Sequence, residues 1–196
     1  MSTVYLNGDY MNAEHAKISP MDRGFLFGDG IYEVIPAYNG NMLGFAAHIE
    51  RMKNGLNELE IVLDYTADTW REICQQLCEK NHGENLGIYL HVSRGADTKR
   101  AHAYPSGITP TVFAYAFEIP AQPVSDIDNA TTYTVSVEQD KRWQRCHIKS
   151  TALLGNVIHY QHGAAHGNNE TILYNRLEQL TETRPSKAFT VNEGAI

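Results

Sequence analysis

The sequence has no long apolar run, no concentrated block of basic residues and too few cysteines for a disulfide framework. The first absence leaves no segment able to span a bilayer as a helix, and residues 1–8 carry neither the basic stretch nor the apolar run of a secretion signal. The second, with a net charge of −7, argues against a nucleic-acid partner, because phosphate backbones are bound by clustered positive charge. Three cysteines are an odd number, and Cys74 and Cys78 have no second pair to complete a metal site, so they are read as reduced packing thiols. Residues 24–30 hold several glycines but lack the trailing Lys-Ser/Thr of a phosphate loop, and no Gly-x-Ser-x-Gly elbow of a hydrolase is present. Internal repeats and low-complexity segments are missing as well. What is left is a cytoplasmic globular protein with small-molecule or protein partners. Its 196 residues, 42% of them apolar, are enough for one large domain or two modest ones.

Asn7-Gly8 and Asn39-Gly40 supply the positive φ angles of tight hairpins, which predicts one hairpin after residues 3–6 and another joining 31–38 to 41–45. The glycines of 23–30 imply close backbone packing beside the second hairpin. Ile49, Met52, Leu56 and Leu59 recur at helical spacing over 46–60. Trp70, Ile73, Cys74, Leu77 and Cys78 do so over 67–80, with Thr66 or Asp68 near the cap. Strands follow at 86–93 and 110–117. The loop between them, 94–105, is rich in cations that could reach a substrate anion, although an ordinary solvated loop is the plainer alternative. Pro120 and Pro123 mark a linker, dividing an N-terminal α+β domain, 1–120, from a second α+β domain, 121–196. The second reads as a strand at 131–137, a Trp- and Arg-rich turn, a helix at 152–165, strands at 171–174, 180–182 and 188–191, and a turn at 192–194. Ala195-Ile196 would open a returning strand, so the second domain is expected to be unfinished.

The turn carries the chemistry. Lys149 follows Arg142, Trp143 and Arg145 at an expected strand-to-helix junction, where backbone N–H groups favour anions such as a phosphate and an amine could hold a cofactor aldehyde. Arg142 and Arg145, if they lie close, would push the lysine pKa down and make the amine nucleophilic. A solvated lysine in a basic segment is the simpler alternative. His159, His162 and His166 share a predicted helix face at metal-ligand spacing, but no carboxylate or cysteine is placed to complete a set, so they are read as solvated histidines.

Several ordered segments together resemble the fold-type IV pyridoxal-phosphate enzymes, and among them most closely the D-amino-acid transaminases. These are Asp22-Arg23-Gly24-Phe25-Leu26-Phe27-Gly28-Asp29-Gly30-Ile31-Tyr32-Glu33-Val34, His48-Ile49-Glu50-Arg51, Arg94-Gly95, Arg100-Ala101-His102, Arg142-Trp143 through Lys149-Ser150, and Leu180-Thr181-Glu182. The resemblance runs over the whole chain and implies a two-domain α+β fold with a cofactor cleft between the domains and pyridoxal 5'-phosphate as cofactor. It implies that Lys149 holds the cofactor as an aldimine and moves the proton at the substrate Cα, that Glu182 faces the pyridine nitrogen, and that Arg51 binds the phosphate. Tyr32, Arg100 and His102 match the group that binds the substrate carboxylate. In that family the last two reach in from the neighbouring subunit, so a homodimer is implied. The activity implied is ping-pong transfer of an amino group between a D-amino acid, D-alanine or D-glutamate, and a 2-oxo acid. The Arg-x-His pair favours this over a branched-chain L-amino-acid transaminase. A lyase resembling aminodeoxychorismate lyase uses the same lysine, and a non-catalytic fragment that pairs through its unfinished sheet is the alternative of another class. Two departures stand out: residues 183–189 replace the family's Gly- and Ser-rich run, and family members continue well beyond Gly194, so the chain is expected to lack the family's C-terminal portion.

Overall fold

The computed structural model describes residues 2–184 together with Ala188 and Phe189; the expected strand at 188–191 and turn at 192–194 lie largely outside the described residues. The chain divides into two compact units, Met1–Val124 with His147–Ala152, and Ser125–Cys146 with Leu153–Ile196.

The first unit is built on a six-stranded antiparallel sheet. In chain order its elements are β1 (Thr3–Leu6), β2 (Asp9–Asn12), α1 (Arg23–Phe27), β3 (Gly30–Tyr38), β4 (Asn41–Met42), α2 (Phe45–Glu58), α3 (Ala67–Lys80), β5 (Asn85–Ser93) and β6 (Thr111–Glu118), with sheet order β2-β1-β6-β5-β3-β4. Both Asn-Gly turns behave as expected, with Asn7, Gly8, Asn39 and Gly40 all at positive φ. Alternation along the strands sends Ile31, Ile35, Ile88, Leu90 and Val92 to one face. There they meet Met52 and Leu56 of α2 and Trp70, Ile73, Cys74 and Leu77 of α3 in a single core. The helices form where the apolar spacing predicts them, and Thr66 caps α3 by accepting from the Thr69 N–H. The opposite sheet face carries a run of aromatic rings: Tyr32 against Tyr89, Tyr89 against Tyr115, and Tyr115 against both Phe113 and Phe117.

The second unit holds β7 (Val135–Gln139), α4 (Leu154–Ala165), β8 (Glu170–Tyr174) and β9 (Leu180–Arg184), with β7 parallel to β8 and β8 antiparallel to β9. β7 starts four residues later than the sequence alternation predicts. Its partner begins only at Glu170, and just before it the Asn169 side chain accepts the Thr134 N–H. α4 packs closely on the sheet at Gly163, where a Cβ would sit 2.4 Å from Thr171 Oγ1.

The expected division at residue 120 differs from the observed one in its most consequential detail. His147–Ala152, assigned from sequence to the second domain, belongs to the first unit. The cause is local: Ile148 is buried in the first unit's core, and Ser150 forms an antiparallel bridge with Ile31. Among the described residues no helix is long and apolar enough to cross a membrane.

Candidate active site

Lys149 sits in an extended segment stitched to the start of β3, not at the immediate mouth of a helix, since α4 begins only at Leu154. The Tyr32 N–H donates to the Lys149 carbonyl at 3.0 Å and the Thr151 N–H to the Gly30 carbonyl at 3.0 Å. Two glycines make this approach possible. A Cβ on Gly28, which also has φ +66°, would lie 2.8 Å from Ala152, and one on Gly30 would lie 3.3 Å from Thr151 Oγ1. The Lys149 amine then rests 4.2 Å from the centre of the Tyr32 ring. Tyr32 in turn stacks on Tyr89 at 5.7 Å, so the lysine meets the aromatic face of the sheet.

Arg51 comes from α2, on the other side of β3. Alternation along that strand places Glu33 between Ile31 and Ile35, in the buried face, where its side chain is 0% exposed. A carboxylate there needs partners. Arg51 supplies two hydrogen bonds, Nε to Oε1 and Nη2 to Oε2, each 2.6 Å, and His48, one turn earlier on the helix, adds Nδ1 to Oε2 at 2.8 Å. Burial pushes the Glu33 carboxyl up, but Arg51 and His48 together pull it further down, so it ends below the ordinary carboxylate range. The Arg51 side chain remains 45% exposed. Among the described residues its Nη1 donates no hydrogen bond to protein. Arg51 also lines an open cavity of about 900 Å³ with Asn54, His147 and Ile148. Glu33 and His48 were not singled out from sequence. Their signal is a carboxylate interrupting an apolar alternation, opposite two basic residues one turn apart on the facing helix.

Arg100 and His102 occupy the loop before β6, and both are exposed. The Arg100 guanidinium lies 5.0 Å from the centre of the Phe27 ring, and the His102 ring lies 5.4 Å from it. No hydrogen bond, ion pair or ring contact among the described residues joins either to Tyr32 within the chain. Beneath the loop is a buried cluster absent from the sequence reading. Arg23 donates through Nε to Asp29 at 2.8 Å, and Arg94 donates to both oxygens of the same carboxylate at 2.7 and 3.0 Å. Burial pushes Asp29 up; the two guanidiniums outweigh it and hold the carboxyl below its usual range.

In the second unit Glu182, on β9, accepts from Arg142 Nη1. Arg142 is otherwise engaged by Asp140, through Nε at 3.0 Å and Nη2 at 2.7 Å, and the Thr181 hydroxyl donates to the same carboxylate at 2.8 Å. Hydrogen bonds from Arg142 are the main reason the Asp140 carboxyl is held far below its ordinary range, and Asp140 in turn raises the arginine. Arg142 therefore braces Glu182. Of the three histidines read as solvated, His162 and His166 are exposed and His159 is not. His159 is buried, with Nδ1 2.9 Å from Glu138 and Nε2 accepting the Lys141 N–H at 3.3 Å, and His162 lies 3.6 Å from the same carboxylate. A carboxylate 21 residues away along the chain supplied to His159 what periodicity could not reveal. Thr183 Oγ1 is buried and has no hydrogen-bond partner among the described residues.

Within the first unit, Lys149 is a primary amine at an aromatic face and Arg51 turns guanidinium N–H groups to an open cavity, chemistry that suits the aldehyde and the phosphate of pyridoxal phosphate respectively; within the second, Glu182 carries a carboxylate paired with Arg142. Comparison with known proteins adds three findings. A family model described as amino-transferase class IV matches residues 30–196. D-alanine aminotransferases of Staphylococcus haemolyticus and Staphylococcus aureus (strain N315) are 34% and 36% identical, each over 100% of this chain and 68% of their own length. The branched-chain aminotransferase of Thermoproteus uzoniensis, solved with norvaline, superposes with a TM-score of 0.76 at 20% identity, over 93% of this chain and 62% of its own. That last likeness concerns the fold, and the chain spans about two thirds of the length of the proteins it matches.

Proposed function

Because the chain belongs to the class IV aminotransferases, which work with pyridoxal phosphate, we propose that it exchanges an amino group between a D-amino acid, D-alanine or D-glutamate, and a 2-oxo acid. Bound pyridoxal phosphate supplies an aldehyde that captures amines and a ring that accepts the electron pair left when the substrate Cα loses its proton. Lys149 is the residue that would hold the cofactor through its aldehyde carbon, and its free amine would take the proton from the substrate Cα and hand it back during transfer. Glu182, paired with Arg142, would keep a proton on the ring nitrogen, and Arg51, oriented by Glu33, would hold the phosphate.

Tyr32, Arg100 and His102 bind the substrate carboxylate. No hydrogen bond, ion pair or ring contact among the described residues joins Tyr32 to the other two, and the reading has Arg100 and His102 serve the neighbouring protomer of a homodimer. Donor and acceptor use the same carboxylate trap and the same lysine, so the oxo acid of the donor leaves before the acceptor binds, and kinetics are ping-pong.

The observation that carries this reading is the Lys149 amine held 4.2 Å above the Tyr32 ring by backbone pairing to β3. The experiment is borohydride reduction of the protein with pyridoxal phosphate, followed by peptide mapping, and turnover with D-alanine set against L-leucine as donors. Label on Lys149 and turnover of D-alanine support the reading. Label elsewhere overturns the lysine's role, and preference for L-leucine overturns the D-amino-acid assignment in favour of a branched-chain enzyme.

A further inference from the structure

The loop that presents Arg100 and His102 is exposed and polar, yet its backbone is held by a buried side chain. Arg23 is 3% exposed. It donates through Nη1 to the Ala101 carbonyl at 2.6 Å and the Ala103 carbonyl at 3.4 Å, and through Nη2 to the His102 carbonyl at 3.2 Å. Three successive carbonyls thus converge on one guanidinium. The reason lies in the charge count beneath. Arg23 and Arg94 share the single carboxylate of Asp29, so each has N–H groups left over in a buried place. Arg94 spends its remainder on the Leu59 and Glu60 carbonyls, at 2.7 and 3.3 Å, and Arg23 on the loop. Buried donors of this kind are costly to leave unpaired, which ties the loop to its position.

The side chains are seated separately. Phe27 closes α1, whose start is fixed by Asp22 accepting the Gly24 N–H at 2.8 Å. Asp22 is itself held to the sheet by the hydroxyls of Ser93 and Thr111, at 2.7 and 2.6 Å. Gly28 in the left-handed region then ends the helix. The Phe27 ring receives Arg23 at 4.9 Å, Arg100 at 5.0 Å and His102 at 5.4 Å. A path of specific contacts therefore runs from the sheet through Asp22 and α1 to the two loop side chains.

We propose that Arg23 and Phe27 are positioning residues for substrate recognition: Arg23 fixes the backbone of residues 101–103 and Phe27 orients Arg100 and His102 toward the carboxylate they bind. The inference rests on the carboxylate-binding reading of that pair. Neither residue touches reacting atoms, so their loss weakens substrate binding and leaves the chemical step alone. Lysine cannot replace Arg23, because a single ammonium cannot reach Asp29 and three carbonyls together.

The test uses Arg23→Lys and Phe27→Leu in the cofactor-loaded protein. Two quantities are read: hydrogen exchange of the amides at 101–104, with and without D-alanine, and KM against kcat for D-alanine, with the cofactor absorbance as a check on the rest of the site. Arg23→Lys is expected to speed exchange at 101–104, to require about tenfold more D-alanine for protection, and to raise KM about tenfold with kcat nearly unchanged. Phe27→Leu is expected to raise KM while leaving exchange close to native, and it keeps the inference testable should Arg23→Lys fold poorly. Unchanged exchange in Arg23→Lys, or faster exchange with native D-alanine protection and native KM, overturns the inference. Arg100→Ala and His102→Ala separate it from the reading beneath: if they raise KM and the positioning variants do not, only the positioning role falls. If they leave KM native, the carboxylate trap falls and the positioning role with it.

Discussion

Replacing Arg51 by alanine is expected to destabilise the protein more than an exposed arginine ordinarily does, and to reverse the way stability responds to pH. The cause is Glu33, which is 0% exposed and faces Arg51 at 2.6 Å through both oxygens. Removing one partner of a buried ion pair costs about 3–5 kcal/mol because the other charge stays buried. Here the Arg51 side chain is 45% exposed, so solvent screens part of the attraction and the expected loss is about 2–3 kcal/mol. In the native protein the Glu33 pKa is depressed below its unfolded value. Its ionisation therefore stabilises the fold above the ordinary carboxylate range, and that contribution is lost as pH falls through the folded pKa. In Arg51→Ala, burial is opposed by little more than the His48 hydrogen bond, the folded pKa rises above the unfolded one, and stability falls as pH increases from about 4 to 7. Urea unfolding of the cofactor-free protein at several pH values reads both effects. The double variant Glu33→Gln, Arg51→Ala should regain about 1–2 kcal/mol over Arg51→Ala at neutral pH, since no charge is then stranded. A single variant that loses less than about 0.5 kcal/mol and keeps the native pH slope would refute the argument.

Lys149→Ala should lose transamination and borohydride-stable labelling by pyridoxal phosphate together; turnover at the native rate would remove the lysine from the mechanism. Asp140→Asn should weaken the second unit at neutral pH, and because the folded Asp140 pKa is depressed, the difference from native should shrink as the medium is acidified below the ordinary aspartate range, as read by acid unfolding followed by circular dichroism. Gly55→Ala and Gly163→Ala should diverge although both lie in helices. The first meets the Ile31 side chain alone, at 2.9 Å from its terminal Cδ1, and gains helix propensity, so urea unfolding should show a change within about 1 kcal/mol. The second meets Thr171 Oγ1 at 2.4 Å and Ser136 Oγ at 3.0 Å and should cost about 1–2 kcal/mol. A thiol reagent should modify exposed Cys146 first and reach Cys74 only on unfolding, because Cys74 is 0% exposed and burial pushes its pKa up to about 12; mass-mapped alkylation at early times decides it.

The elements whose formation depends on local pattern could be read from the sequence. α2 and α3 follow from apolar spacing, and both hairpins from Asn-Gly turns that need positive φ. What sequence hid was always a partner distant along the chain. Glu33 looks like any strand residue until α2 is laid across β3. His159 looks solvated until β7 brings Glu138 to it. Asp29 acquires its meaning from Arg94, 65 residues away, and Arg23 from carbonyls 78 to 80 residues away. The surroundings of Lys149 were hidden too, because the bridge between Ser150 and Ile31 carries its segment out of the domain in which its neighbours in sequence lie. Arg142 shows the same limitation: its partner Glu182, 40 residues away, was not visible in sequence.

The stitching of the lysine segment to β3 has a consequence for how the protein is made. Thr151 and Gly30 are 121 residues apart, so the contact that sets Lys149 in place closes nearly the longest loop the first unit contains. Such contacts carry a large closure entropy and form after local ones. During synthesis the six-stranded sheet can assemble as soon as β6 has emerged, and it must then wait for residues 147–152 to be laid against its finished rim. Lys149 is then laid on a rim whose six strands are already paired.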